Sequence, residues 1–191
     1  MKKSILLAIA IFTMGIANAQ VSQDIQKSRE RSAKLQELCG NYDPISIGSI
    51  DGYGKDITEA AIFAIANSEQ LETMYQRQIG VTKDGVTDVT IKKPTLDEWM
   101  VFATTVAGET VKIQSAVDKA KDAGEEAKIL AEAASSEKNP MKAAKMLKNA
   151  KAAAAVIERC TQATSILLEE SAAQVKAVND IINTLKSGGN L

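Results

Sequence analysis

An all-α fold is predicted, an elongated helical bundle built on a long antiparallel helical hairpin at about 95–136 and 140–186, with two N-terminal helices packed at its base. Three observations predict it. Only 3 prolines and 11 glycines interrupt 191 residues rich in Ala, Lys, Glu and Gln, a composition of helix formers. From Trp99 to Ala134, and again from Ala143 to Leu185, apolar or small residues recur at steps of three and four, as on a helix with one buried seam. Between these runs stands Asn139-Pro140, a capping residue followed by the residue best tolerated in a first helical turn.

Residues 1–19 are expected to be removed as a signal peptide. Lys2 and Lys3 form a basic start, Ile5 to Ile11 an apolar run, and Ala17-Asn18-Ala19 a small-x-small cleavage site. The apolar stretch falls short of the ~20 residues that span a bilayer. No cysteine follows the apolar run directly, so the chain is not read as a lipoprotein. Gln20 to Leu191 is expected to form one all-α domain, periplasmic or secreted.

Helix 1 is expected from about Ser22 to Cys39, on a thin seam in which Ser28 and Ser32 take two steps. Residues 40–55, with four glycines and Pro44, read as a loop. Helix 2 is expected to open at Asp56, with Glu59 placed for a capping box, and to end near Gly80. Its Ala60–Ala66 stretch is apolar all round, which predicts burial on several sides. At 80–94, Asp84-Gly85 between Val- and Thr-rich residues allows a very short β-hairpin near 81–91, although an irregular loop is the preferred reading.

Thr95 with Glu98 forms a second capping-box pair ahead of helix 3. Helix 4 follows the turn at 135–139 and stops at Ser187-Gly188-Gly189. Its main seam includes Leu147, Thr164, Leu168 and Val178, and a second stripe one residue away includes Ala153, Cys160, Leu167 and Ile181. Near the turn both long seams are mostly Ala and Gly, so little bulk fills the tip. The heavy core is expected at the far end, where Trp99, Phe102, Val106 and Ile113 oppose Val175, Val178, Ile182 and Leu185.

Candidate chemistry is sparse. Histidine is absent, which removes the commonest general base and metal ligand. Gly52-Tyr53-Gly54-Lys55 matches no nucleotide-binding fingerprint, and Asp84 with Asp88 does not have the spacing of a calcium loop. Glu125-Glu126 and Glu169-Glu170 point in different directions on their helices and read as solvated faces. No catalytic, cofactor-binding or metal residue is assigned, and the chain is not read as an enzyme. Cys39 and Cys160, an even pair in an exported chain, are expected to form a disulfide. Phe63, Trp99 and Phe102 are the candidates for an apolar ligand pocket.

Without Lys2 and Lys3, 21 basic and 24 acidic residues leave a net charge of −3 with the signs interspersed, so nucleic acid is not an expected partner. No second membrane span is expected. The expectation is a non-enzymatic exported helical protein acting through protein contacts as scaffold, adaptor or envelope-assembly factor, with protein partners and a possible homo-oligomer. In outline it resembles the helical arms of periplasmic holdase chaperones and the long-helix subunits of conjugation machinery. The alternatives are a periplasmic carrier of a lipid or other apolar ligand and, less favoured, a membrane-active protein.

Overall fold

A computed structural model describes residues 23–83, 86–88 and 90–191, with 81–83 and 86–88 described as backbone. The expected signal peptide and the Asp84-Gly85 turn lie outside the described residues. The order is helix α1 at 23–39, helix α2 (Gly48–Ile79), strands β1 (Val81–Lys83) and β2 (Val86–Asp88), then helices α3 (Leu96–Ser136) and α4 (Pro140–Lys186). At 1.5 Å per residue α3 and α4 reach about 60 and 70 Å, so the bundle is elongated.

The ends of the hairpin are built as the sequence dictates. The Thr95 side chain accepts from the Glu98 N–H while the Glu98 carboxylate accepts from the Thr95 N–H, satisfying two donors the helix leaves open. Asn139 accepts from the N–H groups of Met141 and Lys142 at 3.0 and 3.2 Å, with Pro140 opening α4. Lys186 occupies the last turn, where the helix dipole favours a cation.

Three elements differ from expectation. α2 begins at Gly48, eight residues before Asp56, so the loop is confined to 40–47. Asp51 explains why: its carboxylate accepts from the N–H groups of Ile45 and Ile47 at 2.8 and 2.9 Å and from the Tyr42 hydroxyl at 2.9 Å. The loop is thereby folded onto the first turn of α2. Burial alone would raise the Asp51 carboxyl, but these donors hold it below its ordinary value. Asp56 is a mid-helix residue paired with Lys119 of α3, and not a cap. Gly54 lets the Tyr42 ring lie directly against α2, since a Cβ there would meet the ring. β1 and β2 pair antiparallel, Val81 opposite Asp88 and Lys83 opposite Val86, where an irregular loop is the reading preferred from sequence.

The third difference is the seam of α4. Leu147 and Leu168 are 49% and 47% exposed, whereas Ala153, Cys160, Leu167 and Ile181 of the second stripe are buried. Two long straight helices drift from a strict seven-residue repeat, and α4 also faces α1 and α2, which pulls its buried face toward that stripe. The Ala60–Ala66 stretch is likewise buried on one side only: Ala60, Ala61 and Ala64 point inward, while Ile62 and Phe63 are 61% and 42% exposed.

Side chains pack into two apolar clusters. The first joins Leu35 and Cys39 of α1 with Ile50–Ala64 of α2, Ile113–Ala123 of α3 and Ala153–Leu167 of α4. The second joins Ile25, Leu71–Tyr75, Trp99–Val106 and Ala177–Ile182. α1 and α2 therefore cover the base of the hairpin, as expected. Residues 131–152, the end of α3, the turn and the start of α4, belong to neither cluster. Ala134 and Ala150 are buried there, so this arm is held by close helix approach and little else.

Candidate functional site: a buried polar layer and a projecting arm

Between the two apolar clusters, all four helices contribute polar side chains at one level. α1 supplies Ser28 and Arg31, α2 Asn67 and Ser68, α3 Glu109 and Thr110, and α4 Glu170, Ser171 and Gln174. Glu170 is fully buried. It accepts hydrogen bonds from Ser28 Oγ, from Arg31 Nε at 2.5 Å, from Ser68 Oγ at 2.7 Å and from Gln174 Nε2 at 2.9 Å. Burial pushes this carboxyl up, but the four donors outweigh it and hold it below its ordinary value.

Glu109 is 1% exposed and stands in a poorer environment. Its Oε2 accepts from Asn67 Nδ2 at 2.5 Å, and its Oε1 has no hydrogen-bond partner among the protein atoms. Burial raises it to about 7, Asn67 opposes the shift, and the nearby Glu170 charge adds to it. One carboxylate is thus held ionised and the other held near half-protonation at neutral pH. Thr110 and Ser171 close the layer at 2.7 Å.

The expectation for the Glu169-Glu170 pair is corrected. Glu169 is exposed, but Glu170 is the centre of the layer. In the other pair Glu125 is exposed, and Glu126 accepts from Ser49 of α2. The signal was present in the sequence: Ser28 lies on the α1 seam and Thr110 and Ser171 on the long seams, so polar residues interrupt three apolar stripes. The acidic partner carries no such signal, because Glu170 falls on neither apolar stripe of α4 and its partners Ser28 and Arg31 are distant in sequence.

A cavity of about 10 Å³ touches Ser28, Arg31, Glu170 and Gln174, room for about one water. It is too small for an organic substrate. The layer therefore fixes register, because sliding any helix by one residue would strand buried charge and hydrogen-bonding groups.

The expected disulfide is not formed. Cys39 and Cys160 are free, buried thiols in the same apolar cluster. Burial pushes both thiols up to about 11, so they pack as small neutral apolar groups. α1 is tied to α4 by this packing and by the Glu170 network, without a covalent bridge.

The three candidate pocket residues are not brought to one cavity. Trp99 and Phe102 are 0% and 1% exposed and meet edge to face, with centroids 6.4 Å apart, inside the second cluster. The Trp99 indole donates to Gln78 at 3.3 Å. Phe63 lies in neither cluster, and the Lys112 ammonium sits 3.3 Å above its ring. A separate groove of about 380 Å³ runs between α1 and α2, lined by Ile25, Gln26, Arg29, Glu72, Tyr75, Gln76 and Ile79.

The arm carries a different kind of surface. Met141 is 85% exposed and Leu147 49%, and Lys142, Lys145, Lys148 and Lys151 are exposed between them and beyond. No acidic residue occurs from Pro140 to Ile157, so the exposed charges at the start of α4 are all positive, and Lys142 stands in its first turn, where the dipole favours anions. Among the described residues no helix is long and apolar enough to cross a membrane, and no cluster of three metal-ligating side chains occurs. No protein-family model, curated protein or solved structure matches the chain, so no known family supplies a function for this layer or this arm.

Proposed function

We propose that the chain is an exported, non-enzymatic helical scaffold or adaptor that engages a protein partner through the arm at 131–152. The observation that carries this reading is the arm itself. It joins neither core cluster, yet it presents Met141 and Leu147 among four exposed lysines. On the α4 side of the arm the charged neighbours of these apolar side chains in the sequence are all positive, which suits a protein surface of the opposite sign. The export part of this reading is supported by the signal-peptide pattern of residues 1–19, and with it the partner would be met in the periplasm or outside the cell.

A carrier of a small apolar molecule is the second reading. The groove between α1 and α2 favours it, being within the size range of small-ligand sites, but away from Phe63, Trp99 and Phe102. Native mass spectrometry of the protein purified unreduced from the cell envelope tests both readings. A bare chain beginning at Gln20 supports the exported scaffold. A chain that keeps residues 1–19 contradicts export, and an extra mass stripped by organic solvent supports the carrier.

A further inference from the structure

We propose that the small cavity beside Glu170 is a binding site for one structural water, which accepts from Arg31 Nη2 of α1, donates to Gln174 Oε1 of α4 and so bridges the two helices. The cavity, about 10 Å³, is walled by Ser28 and Arg31 of α1, Leu71 of α2 and Glu170, Gln174 and Ala177 of α4, among others. Two polar atoms of that wall, Arg31 Nη2 and Gln174 Oε1, are buried without a hydrogen-bond partner among the protein atoms. One can only donate and the other can only accept. Left unpaired, each forfeits the hydrogen bond it makes to water in the unfolded chain.

Both head groups meet at one carboxylate. Arg31 Nε donates to Glu170 Oε2, and Gln174 Nε2 donates to Glu170 Oε1 at 2.9 Å. The orientation of the Gln174 amide is fixed by its surroundings, because Nε2 also faces the Ala64 carbonyl oxygen at 3.0 Å. The Ala64 carbonyl and the Glu170 carboxylate only accept, so turning the amide over would set oxygen against oxygen at both. Oε1 is thereby held in need of a donor, and Gln174 is 1% exposed, so bulk solvent does not supply it.

The chemistry selects water over other occupants of this size. Arg31 offsets Glu170, so an ion of either sign would meet a like charge at a site already balanced. An apolar occupant would leave both atoms unpaired. A buried water takes about two to four polar partners, and Arg31 and Gln174 supply two of complementary kind. The bridge also has a structural role. α1 buries only Ile25, Ser28, Leu35 and Cys39 besides this contact, a thin seam. The water carries the hold of Arg31 from Glu170 to Gln174, one turn further along α4, and fixes the plane of the guanidinium.

A crystal structure of the mature chain, at a resolution that shows ordered water, tests this. One water peak is expected within hydrogen-bonding distance of both Arg31 Nη2 and Gln174 Oε1 in every copy in the crystal. In solution, the methyl protons of Leu71 and Ala177, which do not exchange, should show cross-peaks to water of opposite sign in laboratory-frame and rotating-frame NOE spectra, the signature of a water that stays bound. Ser28→Ala removes the hydroxyl from the cavity wall and should keep those cross-peaks, since they arise from the water and not from an exchanging hydroxyl. A dry cavity, a direct contact between Arg31 Nη2 and Gln174 Oε1 that closes it, or cross-peaks that vanish in Ser28→Ala would overturn the proposal.

Discussion

Placing an aspartate at Val178 and at Ala134 measures how unevenly the hairpin is held. Val178 is 1% exposed, among Trp99, Phe102, Ile181 and Ile182. Val178→Asp forfeits the burial of a valine side chain, worth about 2 kcal/mol. The new carboxyl finds only apolar neighbours and must be neutral to stay folded. Protonating a group of ordinary value about 3.9 at pH 7 adds about 4 kcal/mol. The total, about 6 kcal/mol at pH 7 and about 2 near pH 4, rivals the whole stability of an ordinary domain. Ala134 is 8% exposed in the last turns of α3, on the arm and outside both clusters. There the helices need part only locally for the carboxylate to reach water, since no bulky side chain of either cluster is displaced, and a helix-propensity loss and a dipole conflict add about 1–2 kcal/mol together. Urea unfolding followed by far-UV circular dichroism and by the fluorescence of Trp99, the single tryptophan, reads both. Equal losses at the two positions, or a Val178→Asp penalty that does not shrink in acid, would refute the division into base and arm.

Glu170→Ala should destabilise by about 3–5 kcal/mol, because Arg31, Ser28, Ser68 and Gln174 lose their shared acceptor. The contribution of the wild-type carboxylate is present above its ordinary value and is lost as pH falls through its depressed folded value, which acid titration of the two proteins compares. Gly52→Ala, where an added Cβ meets nothing within 4 Å, should stabilise α2 by about 0.5–1 kcal/mol, whereas Gly54→Ala should destabilise by displacing Tyr42. Denaturant midpoints of the pair check the signs. Both cysteines should react with a thiol reagent after unfolding without reductant, and slowly in the native protein, since thiols near 11 are only about one-thousandth thiolate at pH 8.

The parts of the fold governed by local chemistry were legible. The cap at Thr95, the turn at Asn139-Pro140 and the heavy core around Trp99 and Val178 stand where short-range rules place them. What failed depended on tertiary partners. Gly48 to Lys55 reads as a loop because glycine is a poor helix former, yet Asp51 ties the preceding chain onto that turn. Glu170 reads as solvated because nothing in its neighbourhood announces Ser28 and Arg31, some 140 residues earlier in the sequence. An even cysteine count in an exported chain suggests a bridge, but the two thiols take ordinary places in an apolar cluster. For the candidate site the sequence reveals where polar residues interrupt three seams, but not that these interruptions meet at one level with Asn67 and Ser68 of α2.

The claim that the arm is the working surface is tested most directly by site-specific photo-crosslinking in cells that export the chain. A photoreactive residue in place of Met141 or Leu147 should capture one and the same protein, a residue in place of Asn183 at the base should not, and reversing Lys142, Lys145, Lys148 and Lys151 to Glu should abolish the capture. A crosslink from Asn183 to that same protein, or one from the arm that survives the charge reversal, would contradict it.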